Sequence, residues 1–292
     1  MVSNSGTHSE PSLFEAHQRS FETNRYVYPV LSRRSGGISI GINLSPDQVC
    51  NFHCIYCQVD RSERQDQERI DLDRLAEELE QTVELVLSRR IYEGTKFATT
   101  PEPLRRLNDI AFSGNGEPTL SADFEKVVAL CAQTRARRNL ETVKLVLITN
   151  ASLLDKERVR RALEILDANQ GEIWAKLDAG TESYYRQVAR SRVPFRRILD
   201  NLTEAARRRP IVIQSLFMRI RGIPPAESER IAYCERLDEI TVAGGKVKQV
   251  QIHTIARAPA EPWVAALSDD EVDALATMVR ERTGLPVAAF YG

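Results

Sequence analysis

Cys50-Asn51-Phe52-His53-Cys54-Ile55-Tyr56-Cys57 sets three thiols in one short loop. Iron-sulfur clusters are ligated by cysteine thiolates. A four-iron cluster presents four irons, so a three-thiolate loop leaves one iron open to a small molecule. The other uses of such a loop weigh less. Structural zinc takes four ligands, often as two separated pairs, and the remaining cysteines, Cys131 and Cys234, stand alone on helical patterns. His53 directly precedes Cys54, where joint tetrahedral ligation would be strained. A disulfide leaves one thiol over and needs an oxidising compartment, whereas the polar opening Met1 to Glu10 lacks the apolar stretch expected of a signal peptide.

The sequence has 292 residues, a net charge of -1 and 42% hydrophobic residues, an ordinary globular composition. No apolar run approaches the ~20 residues that span a bilayer, so a cytoplasmic protein with no membrane partner is expected. The charge balance argues against a strongly basic nucleic-acid binder. Arginines group at Arg135, Arg137 and Arg138, at Arg158, Arg160 and Arg161, and at Arg207 to Arg209. They read as solvated helix surface ahead of an RNA-binding track.

Outward from the cysteine loop, strand and helix patterns alternate. Strands are expected at Gly37 to Asn43, Asp109 to Ser113, Lys144 to Thr149, Glu172 to Asp178, Ile211 to Met218 and Lys246 to Ala256. Helices are expected at Asp71 to Ser88, Ala122 to Arg137, Asp155 to Ala168, a broken pair over Thr181 to Arg209, and Pro225 to Val242. A last helix, Ser268 to Thr283, opens with a capping box ending at Glu271. Residues 1–24 read as a mobile segment and Glu93 to Pro103 as an insertion loop. Residues 25–292 read as one domain, with a core over about 37–256 and a C-terminal extension over 257–292. Repeated strand-then-helix order implies parallel βα units; periodicity alone does not separate a barrel from an open doubly wound sheet.

Candidate ligand contacts fall at strand ends. Ser113-Gly114-Asn115-Gly116-Glu117-Pro118 offers two glycines that let backbone approach a ligand, and Glu117 as an acceptor. Period-two alternation puts Trp174, Lys176 and Asp178 on one strand face, opposite Ile173, Ala175 and Leu177. Gln249, Gln251 and His253 share a face of the sixth strand, with Gln214 on the fifth and Thr149 and Asn150 ending the third. A mid-strand Lys176 and Asp178 must be paired with each other or serve a ligand.

The spacing CxxxCxxC, with Tyr56 before the last cysteine and Asn115-Gly116-Glu117 at the next strand end, resembles the radical S-adenosylmethionine (SAM) superfamily. The resemblance implies an α/β fold, a partial (β/α)6 barrel of the TIM type whose first strand precedes the cysteine loop, with a C-terminal helical extension. It implies that Cys50, Cys54 and Cys57 ligate three irons of a [4Fe-4S] cluster while SAM chelates the fourth. Asn115, Gly116 and Glu117 match a Gly-Gly-Glu-type motif that holds the methionine amino group, with Asn115 replacing one glycine, and Tyr56 would pack near adenine. The implied chemistry is reductive cleavage of SAM to a 5'-deoxyadenosyl radical that abstracts hydrogen from an unidentified substrate. The electron comes from a separate donor of the flavodoxin or ferredoxin type, since no such domain is seen in the sequence.

Within the superfamily, Arg25 to Gly37, Gly41 to Pro46, Cys50 to Arg61 and Ile255 to Trp263 look like the branch related to wyosine-synthesising tRNA enzymes. That branch leaves the substrate open, RNA included. Its archaeal members carry additional cysteines upstream for a second cluster. No cysteine precedes Cys50 here, so a single cluster is expected. The alternatives are a wyosine-type tRNA-modifying enzyme, an iron-sulfur electron-transfer protein, a zinc-bound RNA-binding module and a scaffold that binds both cofactors without turnover.

Overall fold

In the computed structural model, which describes residues 21–59 and 69–292, the chain runs β1 (Val27–Ser32), β2 (Gly37–Asn43), α1 (Leu72–Leu87), β3 (Leu107–Ser113), α2 (Phe124–Arg137), β4 (Lys144–Thr149) and α3 (Glu157–Asp167). It continues through β5 (Gly171–Lys176), α4 (Glu182–Ala189), α5 (Phe195–Arg208), β6 (Ile211–Leu216), β7 (Arg219–Ile220), α6 (Glu227–Val242), β8 (Val247–His253), β9 (Val264–Ala265), α7 (Asp269–Thr283) and β10 (Val287–Phe290). The main sheet has the order β1-β2-β3-β4-β5-β6-β8-β10. All neighbours in it are parallel except the β1–β2 pair. Its two ends meet: Arg33, just past β1, donates to the backbone carbonyl of Tyr291, just past β10, at 2.6 Å. The sheet is therefore curled into a partial barrel.

The strands carry apolar residues on both faces, as parallel strands under helices do. Ile40, Ile42, Phe112, Leu145, Ile173, Ile213, Val250 and Ile252 face the helices in the main core. Ala111, Val146, Trp174 and Val212 form a second, interior layer. The capping box at Ser268 and Glu271 forms as expected, and Pro194 caps the start of α5, separating it from α4.

Two strands escaped the sequence pattern. β1 pairs antiparallel with β2 at the sheet edge, where Pro29 lacks no needed ladder donor. β10 gives the C-terminal extension a strand beside its helix and lies parallel to β8. The insertion around Glu93 to Pro103 is tied down by buried Phe97 and Thr100. The expected mobile segment lies mostly outside the described residues. Its last residues are anchored instead: Phe21 bridges Asn24, and the Asn24 amide donates to the Val27 carbonyl and to Thr82. Asp60 and Arg61, at the end of the quoted cysteine loop, also lie outside them.

Candidate active site

The cysteine loop follows β2 and sits at the C-terminal strand ends, where βα barrels do their chemistry. Hydrogen bonds hold it from three sides. His53 N and Ile55 N donate to the carbonyls of Ala189 and Val188 at the end of α4. Ala260 N, in the strap after β8, donates to the Cys57 carbonyl at 2.7 Å. Asn51 accepts from the Asn150 side-chain amide at 2.8 Å and donates to Ser152 at 2.8 Å. The start of α4 is fixed in turn by buried Glu229, which accepts from Gly180 N and from Thr181.

Cys50, Cys54 and Cys57 line one cavity of about 320 Å³. Among the described residues no three histidine, cysteine or acidic side chains converge on a point that could hold one metal ion. Burial pushes the Cys54 thiol up to about 12, with the Lys176 ammonium opposing. Cys131 and Cys234 are buried on α2 and α6, away from this cavity.

The glycine turn lies directly beneath the loop. A Cβ on Gly116 would overlap the carbonyl of Val49, the residue before Cys50, and one on Gly114 would overlap the Asn43 side chain. Gly114 also has φ of +144°, outside the range of ordinary side chains. Asn115 N donates to Asn43 Oδ1 at 3.1 Å. Glu117 is buried and accepts four hydrogen bonds, from Thr119 N, Thr119 Oγ1, Thr149 Oγ1 and Asn150 N. Burial holds its carboxyl above the usual range even against those donors. Glu117 is thus a strut between the β3 and β4 ends, as well as a wall of the cavity. Thr149 and Asn150 also line the cavity, and both donate to that strut.

On β5 the alternation holds: Trp174 and Lys176 line the cavity, and Leu177 enters the core. The strand ends at Lys176, so Asp178 stands just beyond it. Lys176 and Asp178 do not pair directly. Lys176 Nζ donates to the Tyr56 hydroxyl at 2.9 Å, and that hydroxyl donates to Asp178. The ammonium also sits 4.6 Å from the Tyr56 ring centre, and Asp178 accepts from Leu216 N at 2.8 Å. Gln214 lines the cavity and donates to Gln251 at 2.9 Å; Gln251 and Asn115 are not on its wall. His253 is on it, held neutral well below the usual imidazole range by burial and by the nearby Arg34 and Lys176.

Sequence reasoning passed over Asn43, Asn51 and Arg34. Asn51 had one signal, its place next to Cys50; the other two become visible only when the strand ends are brought together. The arginine groups are largely engaged within the protein. Arg137 and Arg138 pair with Glu80, Arg161 with Glu125 and Arg209 with Asp167, while Arg135, Arg158 and Arg207 cap backbone carbonyls.

Fold and site define a βα half-barrel with a three-thiolate loop and a glycine turn at the strand ends. Residues 44–232 match the radical SAM superfamily, and the chain belongs to it. The cofactors of that superfamily are a [4Fe-4S] cluster and SAM. A protein named GTPase Obg from Brachyspira hyodysenteriae is 25% identical over 270 residues, 90% of this chain and 35% of that one. UPF0026 protein MJ1312 from Methanocaldococcus jannaschii is 28% identical over 183 residues, 60% of this chain and 46% of that one. The chain thus spans well under two thirds of these relatives. Among solved structures, TYW1 with a lysine-pyruvate adduct bound superposes with a TM-score of 0.55 at 17% identity, covering 83% of this chain and 73% of that one; the likeness is one of fold. No helix among the described residues is long and apolar enough to cross a membrane.

Proposed function

We propose that the chain is a radical SAM enzyme acting on a substrate held in the same cavity as SAM. The observation that carries this is the shared wall: Cys50, Cys54, Cys57, Gly116 and Glu117 line one cavity at the C-terminal strand ends. Cys50, Cys54 and Cys57 would hold the [4Fe-4S] cluster, whose chemistry when bound is reductive cleavage of SAM to supply a hydrogen-abstracting 5'-deoxyadenosyl radical.

The protein's part is binding, orientation and exclusion of water. Glu117 Oε2 accepts only from Asn150 N and keeps acceptor capacity for an ammonium such as that of methionine. Gly114, Asn115 and Gly116 bring backbone to the same place. Lys176, with Tyr56 and Asp178, sets a cationic donor under the loop, and Thr149, Asn150, Gln214, Gln251 and His253 supply or support polar contacts for the rest of the ligand. The reading includes one domain over residues 25–292, a cytoplasmic setting and a separate one-electron donor.

The test is anaerobic reconstitution with iron and sulfide, reduction with dithionite in the presence of SAM, and chromatography for 5'-deoxyadenosine. Formation of that nucleoside by wild type, and its absence in Cys54→Ala, is the expected result; cluster-loaded protein that leaves SAM intact would defeat the reading.

A further inference from the structure

The cavity does not end at the SAM determinants. It runs down the barrel to the β1–β2 turn, where Arg33 and Arg34 are on its wall together with Asp109 and Trp174. Arg34 differs from the ion-paired surface arginines in lining the cavity. Its guanidinium lies over the Trp174 ring, 5.7 Å from the centre, and among the described residues it has that ring contact but no hydrogen bond and no ion pair. A guanidinium carries five N–H donors and is always charged at neutral pH. Arg34 is partly exposed and lines the cavity, so its donors are open to a ligand there; burial together with neighbouring Arg33 draws it down to about 10, with Asp109 pulling the other way. Asp109 does not quench it: that carboxylate takes the Ser39 hydroxyl and makes no ion pair with Arg34.

Cationic side chains outnumber the carboxylates Asp109 and Glu117 on the wall. Arg33, Lys176 and Arg257 line the same cavity, and His253, also on the wall, stays neutral. A planar donor fork over an indole and on a cavity wall matches the geometry of a carboxylate or phosphate.

We infer that the substrate sharing this cavity with SAM carries an anionic group, a carboxylate or phosphate, and that Arg34 at the end remote from the cysteine loop binds it. Trp174 lies against the guanidinium, 5.7 Å away at its ring centre, and an anion anchored there orients the rest of the substrate toward the strand ends. This rests on the radical SAM reading for the word substrate, but the binding itself needs no turnover.

The test is calorimetry on cluster-loaded, SAM-bound protein at low ionic strength, titrated separately with inorganic phosphate and with acetate. Saturable binding of at least one anion is expected, weakened about tenfold in Arg34→Gln and partly kept in Arg34→Lys, which retains charge without the fork. SAM affinity and iron content should match wild type in both variants, and melting curves show whether each is folded. Whichever anion binds more tightly names the group. The inference is overturned if neither anion binds saturably, if binding is unchanged in folded Arg34→Gln, or if that variant loses SAM affinity instead, which would assign Arg34 to the SAM carboxylate. Failure to form 5'-deoxyadenosine with anion binding intact would sink only the proposed reaction.

Discussion

Asn150 Nδ2 donates to Asn51 Oδ1 at 2.8 Å, joining the end of β4 to the residue next to Cys50 across 99 positions of sequence. The same Asn150 gives its backbone N–H to Glu117, so one residue connects the cysteine loop with the glycine turn. Asn51→Ala should leave the barrel folded, because Asn51 is on a loop and only partly buried. It leaves the Asn150 amide short of a partner, at a cost of about 1–2 kcal/mol. Iron analysis after reconstitution and desalting is expected to show faster cluster loss than in wild type; equal retention would show that the bridge does not hold the loop.

Replacing Cys50, Cys54 or Cys57 by alanine should each abolish cluster absorption, whereas Cys131→Ala should keep it. Cys131 is fully buried on α2, so its cost is a small cavity of roughly 1 kcal/mol or somewhat more, read as a lowered melting temperature with about four irons per chain retained. Full iron content in Cys54→Ala, or about eight irons in wild type, would refute the single-cluster assignment.

Much of this architecture was legible because parallel strands and amphipathic helices leave strong local patterns. The six expected parallel strands are present, with ends shifted by up to a few residues. β1 was hidden because Pro29 interrupts a run that alternation would otherwise mark, and an edge strand tolerates it. β10, Val287–Phe290, was too short to register. In the site, the cysteine spacing and glycine turn announced themselves locally. The Lys176–Tyr56–Asp178 relay did not: its members lie 120 and 122 positions apart, and alternation could say only that Lys176 and Asp178 share a face. Glu117 was legible as an acceptor but not as a strut, since two of its four donors, Thr149 Oγ1 and Asn150 N, come from the end of β4, which meets the glycine turn only in the folded barrel.

Gly116→Ala should cost more function than its single methyl suggests. The added Cβ would run into the Val49 carbonyl and the Ser45 side chain. A carbonyl held by the backbone next to Cys50 cannot rotate away, so the loop must shift. Overpacking of this kind costs about 1–3 kcal/mol, and the displaced loop should load iron poorly. Normal iron content and normal SAM affinity in the purified variant would show that the turn and loop have slack.

Glu172 makes a prediction about acid stability. Its carboxylate accepts from Lys144 at 2.7 Å, Lys248 at 2.6 Å and Trp174 Nε1 at 3.0 Å, tying β4, β5 and β8 together near their N-terminal ends. Burial alone would raise its pKa, but those three donors overcome it and bring the group to about 2, against 4.5 in the unfolded chain. A carboxylate whose folded pKa is depressed stabilises the fold fully above its unfolded value and loses that contribution as pH falls through the folded one. The shift sets a ceiling of about 3 kcal/mol. Both lysines are about half exposed, so solvent screening brings the expected contribution nearer 1 kcal/mol. Glu172→Gln should therefore melt lower than wild type at neutral pH, and the gap should close as pH drops from about 5 toward 2. Urea unfolding of the two proteins across that range, at fixed ionic strength, measures it: a gap that persists unchanged at pH 3 and below would mean that packing around residue 172, rather than its charge, holds the three strands.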